Sequence, residues 1–312
     1  MITNPQFELT VCLLIYNHEH LIEKVITSIL EQSYPDFQFL ISDDFSIDNS
    51  YEIAKKYENV DPRVNVFQTP KNLGMAGNTN FCLSKVKTTF IALLHHDDIL
   101  EKTLLERWLS LAHKSINISF VFNDYLVNNI AGHKFEKRNF FEIMNGKKFL
   151  NNYLLRTWGC PVRGTALIRK KYFDEIGGMD ERFGMLADID LWMRLAAKYD
   201  VGYVDKPLME VIQDRPDNYP KDYTEFSWIR FFILFDIHSN NINRNNFPNY
   251  FHYLVKRFVF RNKVSFEIIK WFLYGLIRKK HLIIKDYEFK FNKYEYFYSR
   301  LIRFLICKIV NK

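Results

Sequence analysis

An almost uninterrupted apolar run, LTVCLLIY at residues 9–16, constrains the fold of this chain more than any other feature. A strand that is apolar at nearly every position has both faces buried, which is typical of parallel sheets covered by helices. The run stops at Asn17, and the segment HLIEKVITSILEQ that follows places its isoleucine and valine residues at helical spacing. The pattern therefore predicts a buried strand followed by an amphipathic helix.

The same alternation continues as far as FIALL at residues 90–94. Further strands are predicted at FQFLIS and VNVFQ, with helices at SYEIAKKY and GNTNFCLSKV. This order indicates a doubly wound α/β sheet, in which ligands bind at the carboxyl ends of the strands. Later strands are predicted at SFVFNDYLV, at GTALI and at a short VGYVD, and a helix is predicted in MLADIDLWMRLAAKY.

Polar side chains are concentrated where the apolar runs end. Tyr16 ends the first strand, Asp43 and Asp44 end the second, and HHDD at residues 95–98 follows FIALL. Because these strand ends are expected at one edge of the sheet, the sequence predicts a ligand site there. A turn rich in Asx hydrogen bonds is the alternative for SDDFSIDNS.

Asp97 and Asp98 are candidate metal ligands. Adjacent carboxylates repel each other unless they are protonated or bridged by a cation. A small number of oxygen ligands suits Mg²⁺ or Mn²⁺ that also holds phosphate oxygens. The alternative is that Asp98 caps a helix in ILEKTLLERWLSLA. A zinc site built from His95 and His96 is disfavoured, because adjacent histidines rarely converge on one tetrahedral ion.

The charge of the chain divides near residue 225. Residues 225–312 contain 17 Lys and Arg against 6 Asp and Glu, giving +11, whereas residues 1–224 contain 26 against 30, giving −4. We therefore predict an α/β domain at residues 1–224 and a helical, basic and aromatic extension at residues 225–312. The extension either docks on an anionic membrane surface or packs on the α/β domain and leaves a solvated basic face.

Other features narrow the class of protein. The four cysteines show no metal or redox spacing, which favours reduced thiols in the cytoplasm. The sequence shows no signal-peptide pattern, and no apolar run reaches the ~18 residues that a membrane span needs. The basic extension contains no recognised nucleic-acid-binding module. We expect a cytoplasmic protein, with peripheral contact to the inner face of the cytoplasmic membrane if the extension docks there.

Five motifs, taken in order, resemble the family 2 glycosyltransferases: LTVCLLIYN, ISDDFSID, NLGMAGNTN, LLHHDD and GMLADIDLWMRLA. The resemblance covers about residues 8–215 and implies a GT-A fold. It also implies inverting, metal-dependent transfer of a hexose or N-acetylhexosamine from a nucleoside diphosphate sugar, with UDP favoured. The implied acceptor is a saccharide or a polyprenyl-diphosphate-linked oligosaccharide in bacterial surface-polysaccharide assembly, and the implied cofactor is Mn²⁺ or Mg²⁺.

The resemblance assigns five residues to the nucleoside part of the donor. Tyr16 corresponds to the residue that packs beside the base, and Asp44, with Asp43 next to it, to the contact with uracil. Asn72 and Gly74 fall in the loop that lines the nucleotide site.

The resemblance assigns the remaining residues to the diphosphate, the metal and catalysis. Asp97 corresponds to the approach to the ribose and phosphates, Asp98 to the metal ligand, and Arg215 to a phosphate contact. Asp188 corresponds to the catalytic base, with Asp190 as a second candidate. Aspartates in a first helical turn also stabilise the helix dipole, which is the alternative for both.

Three departures from the family pattern keep a second function open. Phe45 stands where glycine is usual after the double aspartate, Thr79 where an arginine is common, and Ala187 where a first acid precedes the base. A catalytically decayed nucleotide-sugar-binding subunit is therefore the alternative to an active transferase. A nucleotidyltransferase is disfavoured, because YNHEHLIEK offers no glycine-rich basic phosphate loop.

Overall fold

The computed structural model describes residues 7–129, 132–134, 139–155, 160–212, 234, 237 and 238. The strands in this part are β1 Leu9–Ile15, β2 Phe37–Asp43, β3 Val64–Gln68, β4 Phe90–His95, β5 Asp98–Leu100, β6 Ile118–Asn129, β7 Gly132–Lys134, β8 Ile143–Met144, β9 Ala166–Arg169 and β10 Asp200–Ile212. They form one mixed sheet in the order β3-β2-β1-β4-β9-β6-β10-β5, with β7 paired to β6 and β8 to β10.

The α-helices of the described part cover the two faces of this sheet. They are α1 Glu19–Leu30, α2 Ser50–Glu58, α3 Gly74–Leu83, α4 Leu104–His113, α5 Gly146–Phe149, α6 Lys170–Glu175 and α7 Ala187–Lys198. A π-helical turn at Leu150–Leu154 follows α5, and a 3₁₀ segment at Glu181–Leu186 leads into α7.

The first four strands of the sheet run parallel and end level with one another. Leu14 of β1 pairs with Ser42 of β2 on one side and with His95 of β4 on the other. The chain reverses its winding between β1 and β4, which is the place where doubly wound sheets bind ligands. The register therefore brings the residues that follow β1, β2 and β4 to one edge.

Alternate residues of each parallel strand enter two separate cores. Leu13 of β1 packs with α1, α2 and α4 on one face, whereas Cys12 packs with α3, α6 and α7 on the other. Both faces of β1 are buried, as its apolar run predicts. The predicted α/β class with a mostly parallel sheet is confirmed.

Two predicted elements differ from the structure. The helix in ILEKTLLERWLSLA that the capping alternative for Asp98 requires begins only at Leu104, as α4, and residues 98–100 form β5. The reason is an antiparallel pairing of β5 with residues 209–211 of β10. The predicted short strand VGYVD is also the first part of a strand of 13 residues, because β10 continues along β6 through bulges.

The described residues of the predicted extension are Leu234, Ile237 and His238. Leu234 is fully buried in the core that contains α7, and His238 is 3% exposed. Leu234 and His238 therefore pack on the α/β domain, while the boundary at residue 225 remains a prediction. Among the described helices, none has the length and apolar character needed to cross a bilayer.

Candidate active site

The ends of β1 and β2 are joined by hydrogen bonds through the turns that follow them. The Asn17 backbone N–H donates to Ser46 Oγ over 2.9 Å, and Asn17 Oδ1 accepts from the Ile47 N–H over 2.9 Å. Tyr16, immediately before Asn17, is 39% exposed at this edge. The pairing presents Tyr16 beside the turn that begins with Asp43 and Asp44.

Asp43 is buried and supports that turn from inside. Its carboxylate accepts hydrogen bonds from the Ser46 N–H over 2.9 Å, from the Ser46 hydroxyl and from Gln68 Nε2 over 3.0 Å. With these donors around it, Asp43 is placed to hold Asp44 in position. The uracil contact assigned to Asp44, with Asp43 next to it, remains a prediction.

Phe45 adopts the backbone conformation that glycine adopts most easily. Its φ is +63°, in the left-handed region, which costs an L-residue about 1–2 kcal/mol. The ring is 46% exposed, so only part of this cost is returned by packing. The turn therefore keeps a left-handed conformation although phenylalanine stands at the family's glycine position.

Asp44 fastens the loop that precedes α3. Its Oδ1 accepts from the Leu73 N–H over 2.8 Å and from Thr69 Oγ1 over 3.2 Å. Burial raises the pKa of Asp44, and these hydrogen bonds oppose the rise. Asn72 Oδ1 accepts from the N–H of Gly74, whose φ is +74°. Asp44 thus lies against the loop that contains Asn72 and Gly74, and the contacts of these three residues with the donor remain a prediction.

Asp98 is a buried carboxylate with one unused oxygen. It is 1% exposed; Oδ2 accepts from the Thr165 hydroxyl, whereas Oδ1 has no hydrogen-bond partner. Burial, reinforced by the charge of Asp97, raises the pKa of Asp98 to about 7. Since α4 begins six residues later, Asp98 is not a helix cap, and that alternative is wrong.

Arg163 is the cation of this cluster, and the sequence did not identify it. Its Nη2 lies 3.6 Å from Asp97 Oδ2 and 3.8 Å from Asp98 Oδ1, beyond hydrogen-bond length. The guanidinium carbon lies 5.5 Å from the centroid of the Tyr125 ring, and Nε is buried without a partner. Burial raises the pKa of both Asp98 and Asp188, and the positive charge of Arg163 opposes the rise at each, so Arg163 links the two acids electrostatically.

Asp188 is the second residue of α7, the helix predicted in MLADIDLWMRLAAKY. The side chain keeps some accessible surface although it lies deep in the protein. Burial raises the pKa of Asp188 to about 6. Two effects oppose this rise: the Ile189 N–H donates to Asp188 Oδ1 over 2.7 Å, and Arg163 contributes positive charge. At neutral pH Asp188 is therefore largely ionised, yet more basic than an ordinary aspartate.

Asp190 differs from Asp188 because both of its oxygens are engaged. Arg194 Nε donates to Oδ2 over 2.6 Å, and His238 Nε2 lies 2.9 Å from Oδ1. Asp190 and His238 are both buried. This arrangement favours a structural role for Asp190 and leaves Asp188 as the candidate base.

The donor set around Asp98 fits a hard divalent cation. Mg²⁺ and Mn²⁺ are commonly held by one or two carboxylates together with phosphate oxygens of the substrate. The unpartnered Oδ1 of Asp98 supplies such a ligand, and Asp97 lies beside it. Within the described ranges, no group of three or more His, Cys, Asp or Glu side chains converges.

The two histidines before the acid pair are neutral neighbours of this site. Burial lowers the pKa of His95, and burial together with the charge of His18 lowers the pKa of His96 to about 4. Gly164 permits the close approach of His95, because a Cβ there would lie 2.4 Å from His95 Nε2. The imidazoles therefore add no positive charge near the acids at neutral pH.

The remaining candidate, Arg215, lies outside the described residues.

Residues 10–177, slightly more than half of the chain, match the model of glycosyl transferase family 2. The chain belongs to this family. The predicted family resemblance is confirmed.

A curated relative in this family is the UDP-Glc:alpha-D-GlcNAc-diphosphoundecaprenol beta-1,3-glucosyltransferase WfgD of Escherichia coli. It is 37% identical over 115 residues, which are 36% of this chain and 44% of the relative. The match thus spans less than half the length of that relative.

Two solved structures of glycosyltransferases share the fold. TarS 1–349 of S. aureus, in complex with UDP-GlcNAc, aligns with a TM-score of 0.59 at 18% identity, covering 74% of this chain and 66% of that chain. The mannosyltransferase PcManGT of Pyrobaculum calidifontis, in complex with GDP-Man and Mn²⁺, aligns with a TM-score of 0.56 at 14% identity, covering 98% and 81%. The GT-A type of α/β fold predicted for this chain is confirmed.

Proposed function

We propose that this family 2 glycosyltransferase transfers a hexose or N-acetylhexosamine, with inversion, from a UDP-sugar to a saccharide or lipid-linked acceptor in bacterial surface-polysaccharide assembly. The observation that carries the proposal is the cluster of Asp97, Asp98, Arg163 and Asp188 at the carboxyl edge of the sheet. This cluster contains Asp98 Oδ1, which has no hydrogen-bond partner, and the Arg163 guanidinium, which is incompletely paired. It also contains Asp188, an acid with a raised pKa.

The nucleoside end of the donor would lie over the ends of β1 and β2. Tyr16 and Phe45 offer exposed aromatic rings there, and Asp44 is supported by the loop that contains Asn72 and Gly74. These groups bind and orient the donor so that its diphosphate points towards β4. TarS binds UDP-GlcNAc and PcManGT binds GDP-Man, which supports a nucleotide-sugar donor but leaves the sugar open.

The diphosphate end would meet Asp98 and Arg163. Asp98, with Asp97 beside it, would hold Mn²⁺ or Mg²⁺, and the bound ion supplies positive charge to the departing diphosphate. Arg163 has a buried Nε–H without a partner and does not form a hydrogen-bonded pair with either acid. The guanidinium is therefore available to donate to a phosphate oxygen, a contact that arginine makes well.

Asp188 would take the proton of the acceptor hydroxyl. A general base works best when its pKa approaches the working pH, and burial brings that of Asp188 to about 6. The deprotonated hydroxyl attacks the anomeric carbon from the face opposite the diphosphate, the bond to the diphosphate oxygen breaks, and the configuration inverts. An α-linked donor would give a β-linked product.

Donor hydrolysis tests this proposal without knowledge of the acceptor. Purified protein is incubated with UDP-Glc, UDP-Gal, UDP-GlcNAc or GDP-Man and with Mn²⁺ or Mg²⁺, and free nucleoside diphosphate is measured. We expect slow, metal-dependent turnover of one donor that is lost in Asp98→Ala. Asp174→Asn is the matched control, because that carboxylate is 55% exposed in a surface pair with Lys170.

Binding measurements distinguish the alternative function. Calorimetry with UDP and Mn²⁺ should show binding in the wild type and loss of metal-dependent binding in Asp98→Ala. Binding without turnover of any donor, even after a panel of polyprenyl-diphosphate-linked acceptors is added, would favour a decayed binding subunit. Absence of both binding and turnover would refute the proposal.

The acceptor proposal includes a membrane-bound partner. WfgD is named for a diphosphoundecaprenol-linked acceptor, and the basic extension at residues 225–312 suits an anionic membrane surface. Flotation of the full chain with phosphatidylglycerol vesicles, compared with phosphatidylcholine vesicles, tests this part separately. Equal recovery with both vesicles would contradict membrane docking.

A further inference from the structure

A buried contact joins the C-terminal part of the chain to the helix that carries the candidate base. His238 Nε2 lies 2.9 Å from Asp190 Oδ1, and each residue is almost fully buried. Asp190 is two residues beyond Asp188 in the first turn of α7. Leu234, four residues before His238, is fully buried in the core that includes Leu191 and Trp192 of the same helix.

Asp190 is also the centre of a second set of contacts that orient α7. Arg194 donates to Asp190 Oδ2 through Nε over 2.6 Å and reaches two carbonyl oxygens beyond the helix. Nη1 donates to the Ile176 carbonyl over 2.8 Å, and Nη2 to the Gly178 carbonyl over 2.6 Å. Arg194 thus holds α7 to the turn after α6, while His238 holds the first turn of α7 from a different part of the chain.

We infer that His238 is a positioning residue for catalysis: its contact with Asp190 fixes the first turn of α7 and thereby the place of Asp188. The inference rests on the proposed function, in which Asp188 is the base. His238 does not need to touch substrate for this role. A base displaced by about 1 Å can cost up to ~100-fold in rate, so a contact that fixes its helix acts on catalysis without contributing to donor binding.

The contact predicts different effects for two neutral replacements of His238. The amide nitrogen of glutamine occupies nearly the position of histidine Nε2, whereas that of asparagine is near Nδ1. His238→Gln can therefore still donate to Asp190 Oδ1, and His238→Asn is too short to reach it. Ile237→Ser is the matched control in the same segment, because Ile237 is 50% exposed.

Hydrogen–deuterium exchange tests the positioning in the full chain without any donor. In His238→Asn, a peptide covering residues 187–198 should exchange at least ~10-fold faster than in the wild type, because the helix opens more often. The peptide covering residues 19–30 should be unchanged. His238→Gln and Ile237→Ser should both match the wild type in the two peptides.

Donor hydrolysis then tests the consequence for catalysis. With the donor that the wild type turns over, His238→Asn should lower kcat by about 10–100-fold and change the donor KM by less than about twofold. His238→Gln should restore at least half of the wild-type kcat. A change confined to KM, or equal kcat values for the two variants, would overturn the inference.

The two readouts separate this inference from the proposed function. If the wild type turns over no donor, the proposed function fails, while the exchange comparison still decides whether His238 fixes α7. If exchange in residues 187–198 is the same in the wild type and both His238 variants, the inference fails, whatever the activity. If His238→Asn does not fold, the contact serves global stability rather than positioning, and the inference is also overturned.

Discussion

Replacing Asp98 with asparagine should stabilise the metal-free protein at pH 8 and remove its stabilisation by Mn²⁺. The wild-type carboxylate is 1% exposed and has one oxygen without a hydrogen-bond partner. Asparagine has nearly the same shape and can still accept the hydrogen bond from Thr165. The substitution therefore removes the cost of a buried charge while leaving the packing almost unchanged.

The size of the effect follows from the raised pKa of Asp98. The value rises from 3.8 to about 7 on folding, mainly through burial. Because one pKa unit is worth ~1.36 kcal/mol, ionised Asp98 disfavours the folded state by up to ~4 kcal/mol above pH 7. Relaxation of the surroundings reduces such penalties, so we expect a gain of about 2–4 kcal/mol for Asp98→Asn at pH 8.

The sign of the pH dependence follows from the same values. The folded protein holds the Asp98 proton more tightly than the unfolded chain does, so the wild type loses stability as the pH rises from about 4 to about 7. At pH 4.5 the folded protein is almost fully protonated at Asp98 and the unfolded chain is already about one-sixth protonated, so most of the penalty of the buried charge is absent. The advantage of Asp98→Asn should therefore fall to about 1 kcal/mol or less.

Urea unfolding in EDTA at pH 8 and pH 4.5 measures both values. Repeating the pH 8 measurement with Mn²⁺ at about 100 times its dissociation constant should add ~2.7 kcal/mol to the wild type and nothing to Asp98→Asn. Asp174→Asn, at an exposed carboxylate, should change the free energy of unfolding by less than ~1 kcal/mol at either pH. A variant less stable than the metal-free wild type at pH 8 would refute the reasoning.

Three further predictions concern other residues of the candidate site. Asp188→Asn should lower kcat by at least ~100-fold and leave the dissociation constant for the donor unchanged. In the wild type, kcat should increase as the pH rises through about 6, because Asp188 acts as a base only when it is ionised. A kcat that does not depend on pH would contradict this role. Arg163→Gln should move that rise to higher pH and weaken UDP binding measured by calorimetry, because Arg163 lowers the pKa of Asp188. Phe45→Gly should raise the free energy of unfolding by up to ~1 kcal/mol by relieving the positive φ. Phe45→Ala keeps the backbone strain and should therefore not raise the free energy of unfolding. If both variants weaken UDP binding equally, the Phe45 ring contacts the nucleotide.

Local patterns were sufficient to predict most of the sheet. The strands β1 and β4 are apolar at nearly every position, β2 is buried along its whole length, and the helices α1 and α4 carry apolar residues at helical spacing. Both signals depend only on residues close in sequence, because burial of a strand or a helix face imposes a fixed period. Because β1, β2 and β4 end level with one another, the residues predicted to bind the donor at their ends lie at one edge of the sheet.

The failures involve residues whose surroundings come from distant segments. Residues 98–100 form a strand only because β10 supplies its partner far along the chain. Arg163 reaches the acids because β9 runs antiparallel to β4, which places the start of β9 at the carboxyl end of β4. His238 meets Asp190 across the fold. No local period encodes these contacts, so Arg163 and His238 had no sequence signal as site residues.

The competing interpretations of Asp98 are separated by its hydrogen bonds rather than by its position. A helix cap is satisfied by backbone N–H groups and keeps its carboxylate near solvent. Asp98 instead begins a strand, is buried beside Asp97, and leaves Oδ1 without a donor although Arg163 is only 3.8 Å away. A buried carboxylate oxygen without a donor is costly, even when the other oxygen of the same group accepts a hydrogen bond, as Asp98 Oδ2 does from Thr165. The missing partner of Oδ1 is the observation behind the proposed cation site, and the stability of Asp98→Asn with and without Mn²⁺ tests that proposal.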